Sequence, residues 1–443
     1  MAVWLDKVNA IVWGGPTLIM ILLVGLLLTV CTKGAQFRLF PKAISRFFNM
    51  SQSGSSKRAL YTALAATVGT GNLAGVAGAI AIGGPGVLFW MWICAFGGMV
   101  LKLAEATLSV RFQCRSENGE IVGGPMYVIR NAMGGRWRFL AAAYSFFGVV
   151  AALGVGNATQ VNTIITSVNQ VMVSGNSDIV NILLGVGIGI LVGVVFTGGA
   201  KNVGILAERL VPMAAAVYIV LCVGVILLHW ERLPEVFGMI FKGAFDPKAI
   251  TGGAVASAFV VLRVGVSRGV FTNEAGMGTA GIAHGSANVS HPVEQGLMGI
   301  VEVFLDTIVI CTLTGFVILC SGIDVCYGED RGIQLTMEAF SSVYGPWVNW
   351  VIMGSVCCFA FATILGWGLY GGRCAQYLLG VRAWNYFVVL QVIAVVVGAV
   401  LGTGIIWVCA EIVNGLMALP CLISLTFLTP ELIKILREYK YND

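Results

Sequence analysis

The run Val68-Gly69-Thr70-Gly71-Asn72 lies in the middle of a stretch that carries no charge from Ala59 to Leu101. Two glycines flanking a threonine favour unwinding of a helix at that point. Irregular main chain at membrane depth survives only where it lines a cavity. Carbonyls freed by such a break suit a small hard cation. The amides that open the next half-helix face a carboxylate with the positive end of the helix dipole. An unbroken helix packed closely through its glycines is the competing reading. A second interrupted stretch, Ile250–Ile282, holds Gly252-Gly253, Arg263, Gly265, Arg268, Gly269 and Asn273-Glu274-Ala275-Gly276.

Polar residues elsewhere in apolar stretches are the next candidates. Gln160, between Asn157 and Asn162, can bond a ligand ammonium or carboxylate, or a neighbouring helix. Thr363 and Trp367 stand one turn apart on one helix face; a hydroxyl suits a hard cation and an indole can wall a small pocket. Lys102 and Glu105, three apart, can pair with each other. Glu302 and Asp306 share a sign and a face, so they need partners elsewhere, with Arg263 or Arg268 as candidates. Glu274 suits a gate or proton relay, or the capping of a neighbouring helix.

What must position these residues is legible in composition. The chain has 443 residues, 58% hydrophobic and only 11% charged, which excludes an ordinary soluble globule and a disordered chain. Apolar tracts with few or no charges predict an all-α polytopic membrane protein with 11 transmembrane helices. They lie at Ile11–Cys31, Ala59–Gly83, Val87–Val110, within Arg138–Val173, Ile179–Gly198, Ile205–Leu228, Ile250–Ile282, Val293–Ser321 and Trp347–Gly371. Two more fill Ala383–Pro430, with a turn near Gly402-Thr403-Gly404 and Glu411 as the tract's one charge. The first apolar run has no small-residue cleavage site after it and reads as a retained helix.

Eighteen lysines and arginines fall in connections on one side of these spans and five on the other. By the positive-inside rule the N-terminus is outside and the C-terminus cytoplasmic. The two interrupted helices, about 59–82 and 250–282, are five spans apart, the spacing of an inverted repeat. Residues 1–58 then form an N-terminal helix and a basic cytoplasmic loop, 59–230 a first five-helix unit, and 231–443 a second with the C-terminal tail.

Several functions are excluded. The net charge of +5 is scattered and never forms a basic run with aromatics, so no nucleic-acid partner is expected. Twelve cysteines without C-x-x-C and three histidines without ligand spacing give no metal site. No Walker loop, nucleophile elbow or H-E-x-x-H motif suggests an enzyme. A channel needs a continuous polar lining, whereas here the polar residues cluster at the breaks.

The segment Ala65-Ala66-Thr67-Val68-Gly69-Thr70-Gly71-Asn72-Leu73-Ala74-Gly75-Val76, followed by Gly83-Gly84-Pro85-Gly86, resembles the signature of the alanine/glycine:cation symporter family, also called sodium:alanine symporters. The likeness continues at Phe89-Trp90-Met91-Trp92, Gly123-Gly124-Pro125-Met126-Tyr127, Arg268–Gly276, Asp306–Thr312 and Leu365-Gly366-Trp367. It implies an inner-membrane importer of alanine or glycine coupled to Na⁺, with H⁺ as the alternative ion. The implied fold is the leucine-transporter (LeuT) type, a 5+5 inverted repeat with one additional N-terminal helix. It further implies substrate against Thr70, Gly71, Asn72, Gln160, Thr363 and Trp367. The cation would lie at the carbonyls of Ala65 and Val68 and the Thr363 hydroxyl. The sequence departs from the family pattern at Ala362, where serine is usual, and at Gly368 and Leu369, where serine and tyrosine are usual. Those departures bear on cation coordination and cation choice.

Overall fold

The computed structural model describes residues 2–50, 54–172, 178–255, 257–329, 331–400 and 403–441. It is helical throughout, apart from a hairpin of two antiparallel two-residue strands, β1 Cys114–Arg115 and β2 Ile121–Val122. Short turns aside, α1 (Ala2–Gly14) and α2 (Pro16–Cys31) run as a pair, restarted by Pro16, whose missing N–H costs nothing at a helix start. α3 (Phe40–Phe48) follows, an amphipathic helix in what the sequence reads as a plain basic loop. The first broken helix is α4 (Gly54–Thr67), a π-helical turn Gly71–Gly75, and α5 (Val76–Gly83). Next come α6 (Val87–Arg111), α7 (Arg138–Leu153), α8 (Thr159–Met172), α9 (Asp178–Thr197) and α10 (Gly199–Leu228).

The second half begins with α11 (Leu233–Phe245), absent from the sequence reading, and the second broken helix, α12 (Ala258–Asn273) and α13 (Thr279–His284). The break lies at 274–278, within the stretch read as interrupted, and Gly252-Gly253 form a left-handed turn before the helix. α14 (Pro292–Val303) passes through a π-helical segment, Phe304–Cys311, into α15 (Thr312–Ser321). α16 (Gly332–Tyr344) occupies the connection read as a loop. α17 (Val348–Leu379), α18 (Ala383–Val400), α19 (Thr403–Phe427) and α20 (Thr429–Tyr441) complete the chain. Gly402, assigned to the last turn, lies outside the described residues.

Among the described residues, eight helices are long and apolar enough to cross a membrane, and up to ten if each of two bent pairs is one span. One of these pairs is α4 with Gly71–Gly83, bent by 46°. The second broken helix is not among them: its halves are 16 and 6 residues long and stand apart by residues 274–278. α2, α9, α10 and α18 present Leu23, Leu26, Ile190, Leu191, Val220 and Ile393 more than half exposed. Such side chains belong in hydrocarbon, and this face meets the lipid bilayer. Inside, α6 lies along α14 and α12, while α17 packs on α7, α8, α10 and α4. The broken helix α4–α5 is thus held between two rigid walls.

Candidate functional site

In a continuous helix the Gly69 N–H would bond to the Ala65 carbonyl. Here it turns instead to Asn72 Oδ1, at 2.8 Å. The Ala65 carbonyl takes the Thr363 hydroxyl from α17 as its donor, at 3.0 Å. Glycine is required at position 69 by space, since a Cβ there would run into Thr363 Oγ1. Gly366, one turn on, brings α17 onto α4, where a Cβ would meet the Ala66 amide nitrogen at 2.8 Å. Ala65, Val68 and Thr363, the residues suggested for a cation, are all buried, and Ala65 and Thr363 are in direct contact.

Thr70 and Gly71 border a cavity of about 450 Å³ that runs along α5, with Asn162, Arg268, Phe271 and Glu411 among its walls. Asn72, Gln160, Thr363 and Trp367 lie behind this floor and do not border the cavity. Thr70 Oγ1 donates to Gln160 Oε1 at 2.9 Å, which ties the break to α8. Trp367 Nε1 donates to Glu274 Oε1 at 2.7 Å, and Gly156 leaves room for its ring, since a Cβ there would meet Trp367 Cγ at 2.6 Å. A second cavity, about 380 Å³, opens at the other end of the broken helices along Arg58, Thr62, Ser286 and Arg373. The polar contacts of Thr70, Thr363 and Trp367 therefore separate two opposed cavities.

The second break is also polar. Glu274 ends α12 in the left-handed region, φ 54°, an uncommon place for a residue with a Cβ and a store of local strain. Its carboxylate accepts from Trp367 and from Thr279 Oγ1, at 2.6 Å, so it joins its own broken helix to α17. Both breaks meet at one point in the 304–311 segment. Asn72 Nδ2 donates to Asp306 Oδ1 at 2.6 Å, and Asn273 Nδ2 donates to Thr307 Oγ1 at 3.2 Å. Thr307 Oγ1 in turn donates to Asp306 Oδ2 at 2.8 Å.

Several pairings expected from sequence are corrected. Lys102 does not pair with Glu105: its ammonium lies 2.8 Å from Glu302 on α14, and Glu105 accepts the Gly276 N–H at 2.7 Å. Glu302 and Asp306 do not use Arg263 or Arg268. Glu302 is held by Lys102 and His284, Asp306 by Asn72 and Thr307. Arg268 faces Glu411 on α19, 3.6 Å away across the cavity. The reason is spatial: α6 lies flush on α14, which puts Lys102 opposite Glu302, while Arg268 sits toward the cavity mouth. The sequence carried one usable signal for that pair, because a lone charge in an apolar tract must find a partner. Asp306 carried the same signal without its partner's identity; Phe271, 3.6 Å from where a Cβ on Gly71 would stand, and the role of Asn273 had no such signal.

The sodium:alanine symporter family model matches residues 1–443. The chain belongs to the sodium:alanine symporter family. It is 36% identical to the sodium/alanine symporter AgcS of Methanococcus maripaludis, over 99% of this chain and 98% of that one. It is 39% identical to an uncharacterized transporter of Haemophilus influenzae, over 98% and 95%. Among solved structures, MhsT in complex with L-phenylalanine superposes with a TM-score of 0.55 at 15% identity, covering 85% of this chain and 97% of that chain. That likeness shows the fold alone, of the LeuT type. The protein is a multi-pass membrane transporter of the sodium-coupled, alanine-type family, and not an enzyme.

Proposed function

We propose that this symporter imports alanine, and glycine as a smaller cargo, together with Na⁺ by alternating access across the two breaks. The observation that carries the reading is the Thr363–Ala65 contact. Two oxygens 3.0 Å apart can both ligate one ion at about 2.4 Å, subtending roughly 77° at it, close to octahedral. The hydroxyl proton would turn away as the ion arrives, and the Val68 carbonyl adds a third ligand from the same helix end. Cargo would sit on the floor formed by Thr70 and Gly71, its carboxylate at the main-chain amides that open the π-helical turn. Asn72 braces that turn. Opening of the floor would let Gln160, Thr363 and Trp367 reach the cargo.

In this reading the chain makes eleven crossings, two five-helix units (59–230 and 231–443) behind the added α1–α2 helix. The N-terminus is outside and the C-terminus cytoplasmic in the inner membrane, because eighteen basic residues lie on the latter side against five. Movement of α5 and α12 against α8 and α19 would open one cavity, and movement of α4 and α13 against α17 the other. Uptake of labelled alanine and glycine into proteoliposomes tests the proposal. A Na⁺ gradient should drive accumulation and a proton gradient alone should not. Accumulation indifferent to Na⁺, or none of either amino acid, would overturn it.

A further inference from the structure

Glu411 is the sole charge between Ala383 and Pro430, and its two oxygens go to different helices. Oε1 lies 3.6 Å from Arg268 Nη1 on α12. Oε2 accepts from Asn9 Nδ2 on α1, at 2.8 Å. The Glu411 main-chain carbonyl also accepts from Trp13 Nε1 of α1, at 2.6 Å. One turn further along α19, Gly415 lets α1 come against the backbone, for a Cβ there would meet Trp13 Nε1 at 3.0 Å. The added N-terminal helix is therefore clamped to α19 at the residue that faces Arg268 across the cavity mouth.

We propose that α1 is part of the gate at this mouth, with Asn9 as the positioning residue that turns Glu411 toward Arg268. Arg268 and Glu411 both border the cavity above Thr70 and Gly71, and they stand on helices that must part to admit cargo. Their side chains are 23% and 22% exposed, so the pair alone is weakened by water and by free rotation of the carboxylate. The amide of Asn9 removes that rotation. It occupies Oε2 with a charge-assisted bond and leaves Oε1 presented to the guanidinium. Trp13 fixes the main chain from which Glu411 projects. The helix that lies outside both five-helix units thus sets the strength of the link between α12 and α19.

The inference rests on the alternating-access reading, but its readout does not require transport. A cysteine at Ala74, in the cavity wall, reports the open mouth through its rate of reaction with a bulky maleimide. Full-length protein in lipid nanodiscs, without sodium or amino acid, is labelled and the residue-74 peptide is quantified by mass spectrometry, so native cysteines do not contribute. Asn9→Ala should raise the labelling rate ~3-fold, the loss expected for a partly exposed ion pair. Asn9→Gln, which keeps the amide, should recover most of the difference. In an Arg268→Ala background, Asn9→Ala should add nothing further. If Asn9→Ala does not fold, Asn9→Ser, too short to reach Oε2, carries the same comparison. An unchanged rate, or an equal increase with and without Arg268, would overturn the proposal. Absence of alanine uptake in the parent protein would instead count against the cargo assignment and leave this result standing.

Discussion

Replacing Thr363 by valine keeps the volume of the side chain and removes one oxygen. The residue is 2% exposed, so water does not take its place freely. The hydroxyl already has a partner, donating to the Ala65 carbonyl at 3.0 Å, and in the proposed loaded state it ligates Na⁺. Only the difference between these two roles appears in ion affinity. A neutral hydrogen bond lost from a buried carbonyl costs about 1 kcal/mol, whereas an oxygen facing full charge is worth about 1.5–3 kcal/mol. The net loss is roughly 1.4 kcal/mol, a tenfold rise in the half-saturating sodium concentration. Alanine uptake into proteoliposomes, titrated with sodium at saturating alanine, measures it. Thr363→Ser restores the oxygen and should return the titration to within about twofold of the parent. Ala362→Ser, the residue usual in the family, should shift it to lower sodium. Sodium dependence unchanged in Thr363→Val, or raised equally in Thr363→Ser, would refute the assignment of the ion to this hydroxyl.

Other expectations follow from the same contacts. Gly69→Ala drives a methyl group into Thr363 Oγ1, so sodium-driven uptake should fall at least about tenfold; pairing it with Thr363→Ala relieves the collision without restoring sodium affinity. Gly71→Leu should abolish alanine uptake at normal expression, because the space over Gly71 ends at Thr272 Cγ2, 3.2 Å from a Cβ; normal uptake would put the cargo elsewhere. Lys102→Met leaves Glu302 buried with the His284 imidazole as its remaining partner, which should cost up to about 3–5 kcal/mol in detergent unfolding, and adding Glu302→Gln should recover much of it. Single cysteines placed between Lys33 and Arg58 should resist impermeant reagents in intact cells, while those between Asp324 and Glu338 should react; the reverse pattern would invert the topology.

Eight to ten of the spans were legible because long apolar tracts report directly on burial in lipid, and the first break because glycine and threonine cluster inside one. Helices α3, α11 and α16 were not, since each is short and amphipathic at a surface that composition describes equally well as loop. The second break was placed in the right stretch, without a choice among its glycines. Gly252 and Gly253 advertise a turn, while the actual interruption uses Glu274 at φ 54° with Gly276 and Gly278 beyond it. Tertiary contacts decide that choice: Glu105 from α6 satisfies the Gly276 N–H. Pairings failed for the same reason. Spacing along one helix made Lys102 and Glu105 partners, but the flush packing of α6 on α14 offered Lys102 a closer carboxylate.

The two breaks constrain each other, and this bears on the size of the proposed cargo. Asn72 has no N–H to spare for a carboxylate, because its amide donates to the Asp306 carboxylate and carbonyl, while its carbonyl oxygen accepts the Gly69 N–H. What the first break can offer a carboxylate is therefore main chain, at Thr70 and Gly71, approached from the cavity side. The ceiling over Gly71 comes from the last turn of α12, where Phe271 and Thr272 lie 3.6 and 3.2 Å from the place a Cβ would take. That turn cannot drift independently, since the next residue, Asn273, is bonded to Thr307, which is bonded to Asp306, which holds Asn72. The floor and the ceiling of the proposed site are thus tied to the same carboxylate, and the gap between them is fixed while that linkage holds. In the proposed reading, Phe271 and Thr272 set how large a side chain the site admits. Relaxing the ceiling by Phe271→Ala should admit larger neutral amino acids as competitors of alanine uptake, and Asp306→Ala, which removes both acceptor oxygens without adding bulk, should weaken alanine more than it widens the range. If Phe271→Ala leaves the competitor profile unchanged, the ceiling is not what selects the cargo.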